Sequence, residues 1–390
     1  MTSKKERGIK KLKRQYKWIA FLIGFALMFA LGVESTPLSE RAIVAGLGID
    51  YENDRFIVSA QILLPSSNDS KSSGIAISSA EGKTIGEALA KISSESSMLV
   101  AMSHCNLVLL GENLIQDKAY TSLDYMVRNA YLSENALILT TYGSAKDILS
   151  AKTAYSDMTS FYIQRELMVY GNYKEAVRRN IKEYLSSYYT HNSANWLTKV
   201  RKVEAEKPQS GGSTENGGTS ANEEPVYVFD FSSCAIIKGN NFVFDGGEEI
   251  ISGINFVHST LDKGDIVVSD NEKTYCFYII KSKSQTDYEP KEYLSKVTVK
   301  LDLILKEVIA KDNSNFSVTD VEPSNEVCEL VKGYVCSTIE SAFNECKSKD
   351  VDVFNLYEGF YGKMGKEWLE MENDYLKKSK INVEVKLSFY

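Results

Sequence analysis

The 390-residue chain has little of what usually builds a catalytic or metal site. It holds three histidines, three tryptophans, six prolines and six cysteines. His104, His191 and His258 are spread along the chain, outside any HExxH and with no pair at metal-ligand spacing. No GxSxG, P-loop or GxGxxG occurs, and Gly46-Leu47-Gly48 is too short for a dinucleotide turn. There is no CxxC. Cys328, Cys336 and Cys346 fall in one expected helix, about 12 and about 15 Å apart along its axis. A disulfide needs Cα atoms within about 7 Å. These three therefore do not pair with one another inside that helix, and with Cys105, Cys234 and Cys276 they read as small apolar filler.

The few residues that could carry chemistry fare poorly. His104 neighbours Cys105, but adjacent strand residues face opposite sides, so the pair does not meet. His104 reads instead as a polar residue at a helix–strand corner. The run DGGEE at 245–249 lacks the alternating ligand spacing of a calcium loop and reads as a turn with a solvated helix start. No catalytic, cofactor-binding or metal residue is assigned, and no cofactor is expected.

What the sequence does have is a charged start and a long apolar run. Residues 1–17 carry eight basic residues and one acid, Glu6. Trp18 to Val33 then runs without a charge. At about 1.5 Å per residue that run covers roughly 24 Å, a little short of a bilayer core. The expectation is a basic cytoplasmic tail (1–17) and a membrane anchor (18–33), with everything beyond it outside. Cleavage after Ala30-Leu31-Gly32 is the alternative. The length of the basic region favours retention. No cysteine precedes Cys105, so lipid attachment directly after the run is excluded. Residues 18–390 hold 37 basic and 51 acidic residues, a net charge of −14 that repels phosphate backbones. Nucleic acid is not an expected partner.

Beyond the anchor the chain is long enough for two or three domains. AIVAGLGIDY and RFIVSAQILLP read as strands, the first nearly all apolar, as in a sheet covered on both faces. TIGEALAKISSES reads as a helix opened by Thr84 with Glu87 three residues on. CNLVLLG and NALILTTYG read as strands, LDYMVRNAY and SAKDILSA as helices, so 34–154 is an expected α/β domain. Residues 155–200 form an aromatic, helical middle segment, with helical spacing at Ala176, Val177, Ile181, Leu185 and Tyr188. Aromatics beside Arg178, Arg179 and Lys182 pack a core more readily than they bind bases. Residues 201–225, with two Gly-Gly pairs and no bulky apolar residue after Val203, read as a flexible linker. Residues 226–390 cluster strands before and after a long helix capped at Ser324, an expected α+β domain.

The order of these motifs is similar to that of one family. LSERAIVAGLGIDYENDRFIVSAQILLP, then GKTIGEALAKISSESSMLVAMSHCNLVLLGENLIQD, then LDYMVRNAYLSENALILTTYGSAKDIL resemble successive blocks of the Ger(x)C family of bacterial spore germination proteins. SSCAIIKGNNFV resembles the start of its second domain; IESAFNECKSKDVDVFNLYEGFYGKMGKEWLEM and INVEVKLSFY resemble its end. The resemblance implies a multi-domain, mixed α and β fold. It also implies a non-enzymatic subunit of a nutrient germinant receptor on the outer face of the spore inner membrane. Its partners would be A- and B-type membrane subunits, one of them transporter-like. Family members usually carry a lipidated cysteine after the signal; here the apolar segment would substitute for it. The rival readings are a cell-envelope hydrolase and a solute-binding protein.

Overall fold

The computed structural model describes residues 16–19, 21–23, 40–64, 74–128, 131–170, 176–192, 194–205, 225–258, 261, 263–310 and 323–390. Of the expected anchor, Trp18, Ile19 and Phe21–Ile23 are described; they are helical and exposed. The rest of 18–33 lies outside the described residues. Among those described, no helix is long and apolar enough to cross a membrane.

Residues 42–390 form one compact unit. Among the described residues its first sheet has nine strands. They are β1 (Arg41–Glu52), β2 (Arg55–Leu63), β3 (Ile75–Gly82), β4 (Leu99–Ala101), β5 (Leu107–Leu110), β6 (Leu137–Thr141), β7 (Ala194–Glu204), β8 (Tyr227–Lys238) and β9 (Asn241–Gly246). The spatial order is β3-β2-β1-β5-β6-β7-β8-β9, with β4 on β1. β1, β5, β6 and β7 run parallel and the flanking hairpins antiparallel. One face is covered by α1 (Ile85–Ser96), α2 (Glu112–Asp117), α3 (Ala119–Arg128) and α6 (Ile181–Tyr188). The other takes α4 (Ala145–Leu149) and α5 (Thr159–Tyr170). This double cover is why the parallel strands are continuous apolar runs. α1 begins where the sequence places it: the Thr84 hydroxyl accepts from Glu87 N–H at 3.1 Å. The Glu87 carboxylate returns to Lys83 N–H at 2.8 Å, one residue earlier than a capping box requires.

Three expectations are corrected. The helix expected from Ala176 begins at Ile181, where Asn180 and Glu183 form a reciprocal capping box. Ala176 and Val177 lie before the helix, and Val177 exchanges hydrogen bonds with the Thr198 hydroxyl. The middle segment 155–200 is not separate, because Ala194 onward is β7, a strand inside the first sheet. The expected linker also shifts its role. Arg201–Glu204 pair with Tyr227–Asp230, and Ala205 N–H donates to Val226 C=O at 2.8 Å. Residues 206–224 of the expected linker lie outside the described residues; its described ends extend the neighbouring strands β7 and β8, and β8 and β9 belong to the first sheet rather than to a C-terminal domain. VYVFDFSSCAIIKGNNFVFDG does read as two strands joined by a Gly-Asn-Asn turn, as found; the sequence did not show that the first of them pairs with β7.

The second sheet is β10 (Asp265–Ser269), β11 (Lys273–Glu289), β12 (Leu294–Ala310) and β13 (Lys380–Phe389), in that order. α8 (Asn325–Ser348) covers its inner face, capped by Ser324 on Val327 N–H at 3.3 Å. α7 (Glu248–His258) lies between the two sheets. Ile250, Ile251 and Ile254 pack with Trp196, Cys234 and Ile236 of the first sheet and with Ala342, Phe343 and Cys346 of α8. A Cβ on Gly253 would come within 2.5 Å of Ala342 Cβ and 2.7 Å of Thr338 O, so only glycine permits this helix crossing.

α9 (Leu356–Met364) and α10 (Tyr375–Lys378) complete the joint. The buried Asp352 carboxylate accepts from Leu356 N–H (3.0 Å), Tyr357 N–H (2.9 Å) and Tyr375 O–H (3.0 Å). Burial pushes its pKa up to about 6, against the pull of these bonds.

Two outcomes follow for stability. Deleting residues 207–223 should leave Tm within a few degrees of wild type by circular dichroism, because loop closure changes slowly with length. The Ala205–Val226 bond that ends the β7–β8 pairing is retained. Asp352→Asn should cost about 1–3 kcal/mol, since an amide N–H₂ replaces an acceptor facing Tyr357 N–H. A carboxyl whose folded pKa is raised loses stabilisation as pH rises from its unfolded value. Wild type measured against the variant should therefore lose ground between about pH 4 and about pH 6 and stay level above. A difference that is flat with pH in chemical denaturation would contradict this.

Candidate functional site

The parallel strands β1, β5, β6 and β7 present their carboxyl ends on one edge of the sheet. After β5 the chain turns onto one face, into α2; after β6 it turns onto the other, into α4. In open α/β sheets, connections that leave neighbouring strands for opposite faces open a crevice where ligands bind. Here that crevice is closed by the chain's own side chains.

Asp50, near the end of β1, reaches the start of α4. It accepts from Ala145 N–H (2.7 Å), Lys146 N–H (3.0 Å) and Ser144 O–H (3.0 Å). Ser144, the residue at the cap position, makes no cap bond of its own, so a carboxylate from a distant strand caps this helix. Burial raises the pKa of Asp50, and the three hydrogen bonds oppose that rise. A Cβ at position 111 would come within 2.1 Å of Asp50 Oδ1, so Gly111 makes room for the carboxylate.

Glu112 follows Gly111. Its N–H donates to Gly143 C=O, and its Oε2 accepts from Gly143 N–H, both at 3.0 Å. Its Oε1 accepts from Lys199 Nζ at 2.7 Å, and Lys199 donates again to Asp245 Oδ2 at 2.8 Å. The Lys199 side chain is 3% exposed. Its ammonium also stands 4.1 Å from the centre of the Tyr142 ring, a cation–π contact. Desolvation alone would lower its pKa. The bonds to Asp245 and Glu112 outweigh that and raise it. Hydrogen bonding to Lys199 holds Glu112 below the usual carboxylate range. Both Glu112 oxygens and the Lys199 ammonium are thus committed to a clamp joining β5, β6, β7 and β9.

The residues singled out from sequence fall elsewhere. His104 is exposed in the turn before β5; Cys105 is buried, its thiol on Leu107 C=O at 3.3 Å, and burial pushes its pKa up to about 12. His191 is exposed and stacks on Tyr357 at 3.7 Å. His258 ends α7; its Nε2 meets Val353 C=O at 2.7 Å, which requires the proton on Nε2. Its ring stacks on Trp196, which also meets the Arg179 guanidinium at 3.8 Å. Desolvation lowers the His258 pKa to about 4. Gly46 and Gly48 lie in mid-strand against Ser160 and Ala145, so they serve helix packing and hold no phosphate. Asp245 joins the clamp, while Glu248 and Glu249 start α7 at the surface. Among the described residues no three His, Cys, Asp or Glu side chains are grouped to hold a metal. A groove of about 640 Å³ lies where Asp270 and Asn271 meet Glu326 and Glu329. Its Asp270 carboxylate already accepts from Glu272 N–H, Lys273 N–H and Tyr275 O–H.

Sequence reasoning passed over Asp50, Glu112 and Lys199. A signal existed for the first two, because each acid directly follows a buried run, GLGI for Asp50 and LVLLG for Glu112. Lys199 reads as one more exposed charge beside a strand not recognised as such.

The fold and this closed edge define a two-lobed α+β protein, a doubly covered mixed sheet joined through a buried helix to a sheet backed by one long helix. Comparison with known proteins gives the family. A model of the spore germination protein N-terminal domain matches residues 34–202. A model of the spore germination B3/GerAC-like C-terminal domain matches residues 232–389. The chain belongs to this GerAC-like family of spore germination proteins. The putative spore germination protein YfkR of Bacillus subtilis (strain 168) is 29% identical over 145 residues, which take in 35% of this chain and 38% of that protein. The crystal structure of the GerBC protein shares the fold, with a TM-score of 0.53 at 15% identity, covering 92% of this chain and 99% of that one.

Lys199→Met should lower stability by about 2–3 kcal/mol, less than for a fully buried pair because Glu112 and Asp245 are each partly exposed. A carboxylate whose folded pKa is depressed stabilises above its unfolded pKa and loses that contribution as pH falls. Wild type should therefore lose stability below about pH 4 more steeply than the variant. Equal acid slopes in denaturant titrations would show that the clamp carries no such coupling.

Proposed function

We propose that this protein is a non-catalytic, membrane-anchored subunit of a germinant receptor complex, acting in nutrient-triggered spore germination. The observation that carries the reading is the family match across both lobes. The basic tail 1–17 stays in the cytoplasm, residues 18–33 hold the chain in the spore inner membrane, and both lobes lie on its outer face. Multi-spanning membrane subunits, one of them transporter-like, are its partners. The clamp at the carboxyl edge supports a role exercised through surfaces. A hydrolase or a solute-binding protein of this architecture would need that crevice open, and Glu112, Lys199 and Asp245 close it.

The test is recovery from native spore membranes. The chain should stay with membranes through a carbonate wash, because one spanning helix holds more firmly than electrostatics or a single lipid chain. Gentle-detergent capture should bring multi-spanning partners with it, and the intact mass should include residues 1–33. Release by carbonate together with a mass beginning at Val33 would refute the anchor. Capture of the chain alone would refute the complex.

A further inference from the structure

The outer edge of the second sheet is a regular strand, and among the described residues no strand pairs with its outer side. β13 runs parallel to β12 in unbroken register from Lys380 to Phe389. It has no proline, no bulge and no inward-pointing charge, and its only edge protection is the exposed charges of Lys380, Glu384 and Lys386. Its inward side chains are Ile381, Val383, Val385, Leu387 and Phe389, and of these only Val385 is buried. The other four pack partly on the core and leave apolar surface at the edge.

The backbone phase of this edge follows from its bonds to neighbours. Lys380 N–H donates to Tyr293 C=O and Tyr390 N–H to Leu303 C=O, so even-numbered residues bond inward. In a parallel strand the alternate residues then point N–H and C=O outward. These are Ile381, Val383, Val385, Leu387 and Phe389. Val383 C=O has a weak contact with the Cys336 thiol at 3.7 Å, which leaves a second lone pair open.

We propose that β13 docks antiparallel against β13 of a second copy of this chain, with Val385 on the two-fold axis. A two-fold perpendicular to the sheet keeps the apolar side chains of both copies on the same face. It also requires a residue, not a peptide bond, at its centre, so that odd-numbered residues with outward bonding groups face one another. Centring on Glu384 or Lys386 would set that charge against its own copy. Centring on Val383 would set Lys380 opposite Lys386 of the other copy. Centring on Leu387 would leave Ile381 and Val383 unpaired. Centring on Val385 uses the whole strand. It pairs Val383 with Leu387 and Ile381 with Phe389 on the inner face. On the outer face it sets Glu384 opposite Lys386, twice by symmetry. These outer residues form the non-hydrogen-bonded pairs, whose Cα atoms approach to about 4.5 Å and whose side chains interact most closely. Within one copy Glu384 and Lys386 already pair at 3.2 Å along the strand, both exposed, so the same two charges exchange partners on docking. The two four-stranded sheets become one continuous sheet, an isologous interface made by strand addition.

The test is the mass of the full chain in mild detergent over a concentration series, by sedimentation equilibrium. Wild type should pass from monomer to dimer. Glu384→Lys sets lysine against lysine at both outer pairs and should weaken the dimer at least about fivefold. The double variant Glu384→Lys with Lys386→Glu swaps the charges, and should restore wild-type association with an unchanged circular dichroism spectrum. A chain that stays monomeric at every concentration would overturn the proposal, and would leave the edge for a strand of different origin. So would a dimer that Glu384→Lys does not weaken.

Discussion

Both lobes depend on one helix that has almost no face for water. In α7 the seven residues from Ile250 to Phe256 are all buried. A helix with no face for water is stable only when enclosed, and the buried Asn255 amide of α7 donates to Ala176 C=O at 2.8 Å. β8 lies to one side of it, α8 and β11 to the other. Each of its large apolar side chains contributes about 2 kcal/mol by leaving water, an upper bound given residual burial in the unfolded chain. Neither lobe alone would enclose this helix. The two regions matched by the family models therefore fold as one body, with Asp352 holding the next helix start beside the same core.

This single body limits how the protein can act. Hinged two-lobed binders open and close about a small, wet interface. Here the joint is a dry core of Trp196, Phe343, Phe360 and Trp368, and the usual ligand crevice of the sheet is filled by Glu112, Lys199 and Asp245. A ligand entering that crevice would have to break a charge network in which both Glu112 oxygens, Asp245 Oδ2 and the buried Lys199 ammonium are already bonded. These features support the proposed role of a part that acts through its surfaces.

Much of the fold was legible where local chemistry and tertiary position agree. Thr84 and Ser324 announce helices α1 and α8, and the alternation from Val297 to Leu305 announces a half-buried strand. The reading failed where tertiary partners decide. β3 is rich in serine and small residues and takes its strand form from pairing with β2. β7 begins with buried ANWLTKV and ends in charges, so no single period marks it. Ala176 and Val177 keep helical spacing by coincidence, and Asn180 sets the true start of α6. The clamp was invisible for the same reason. Its members lie 46 and 87 positions from Lys199, and only the strand order brings them together.

Native-state hydrogen exchange on the full chain is the most direct test of a welded, closed body. The amides of Ala145 and Lys146, held by Asp50 in the first lobe, and of Leu356 and Tyr357, held by Asp352 beyond the joint, report both claims at once. The account predicts that all four exchange only through the global unfolding event, with one shared dependence on denaturant. Fast exchange at Ala145 and Lys146 would show that the crevice opens in the native state. Two separate unfolding free energies for the two pairs would show that the lobes are not one body.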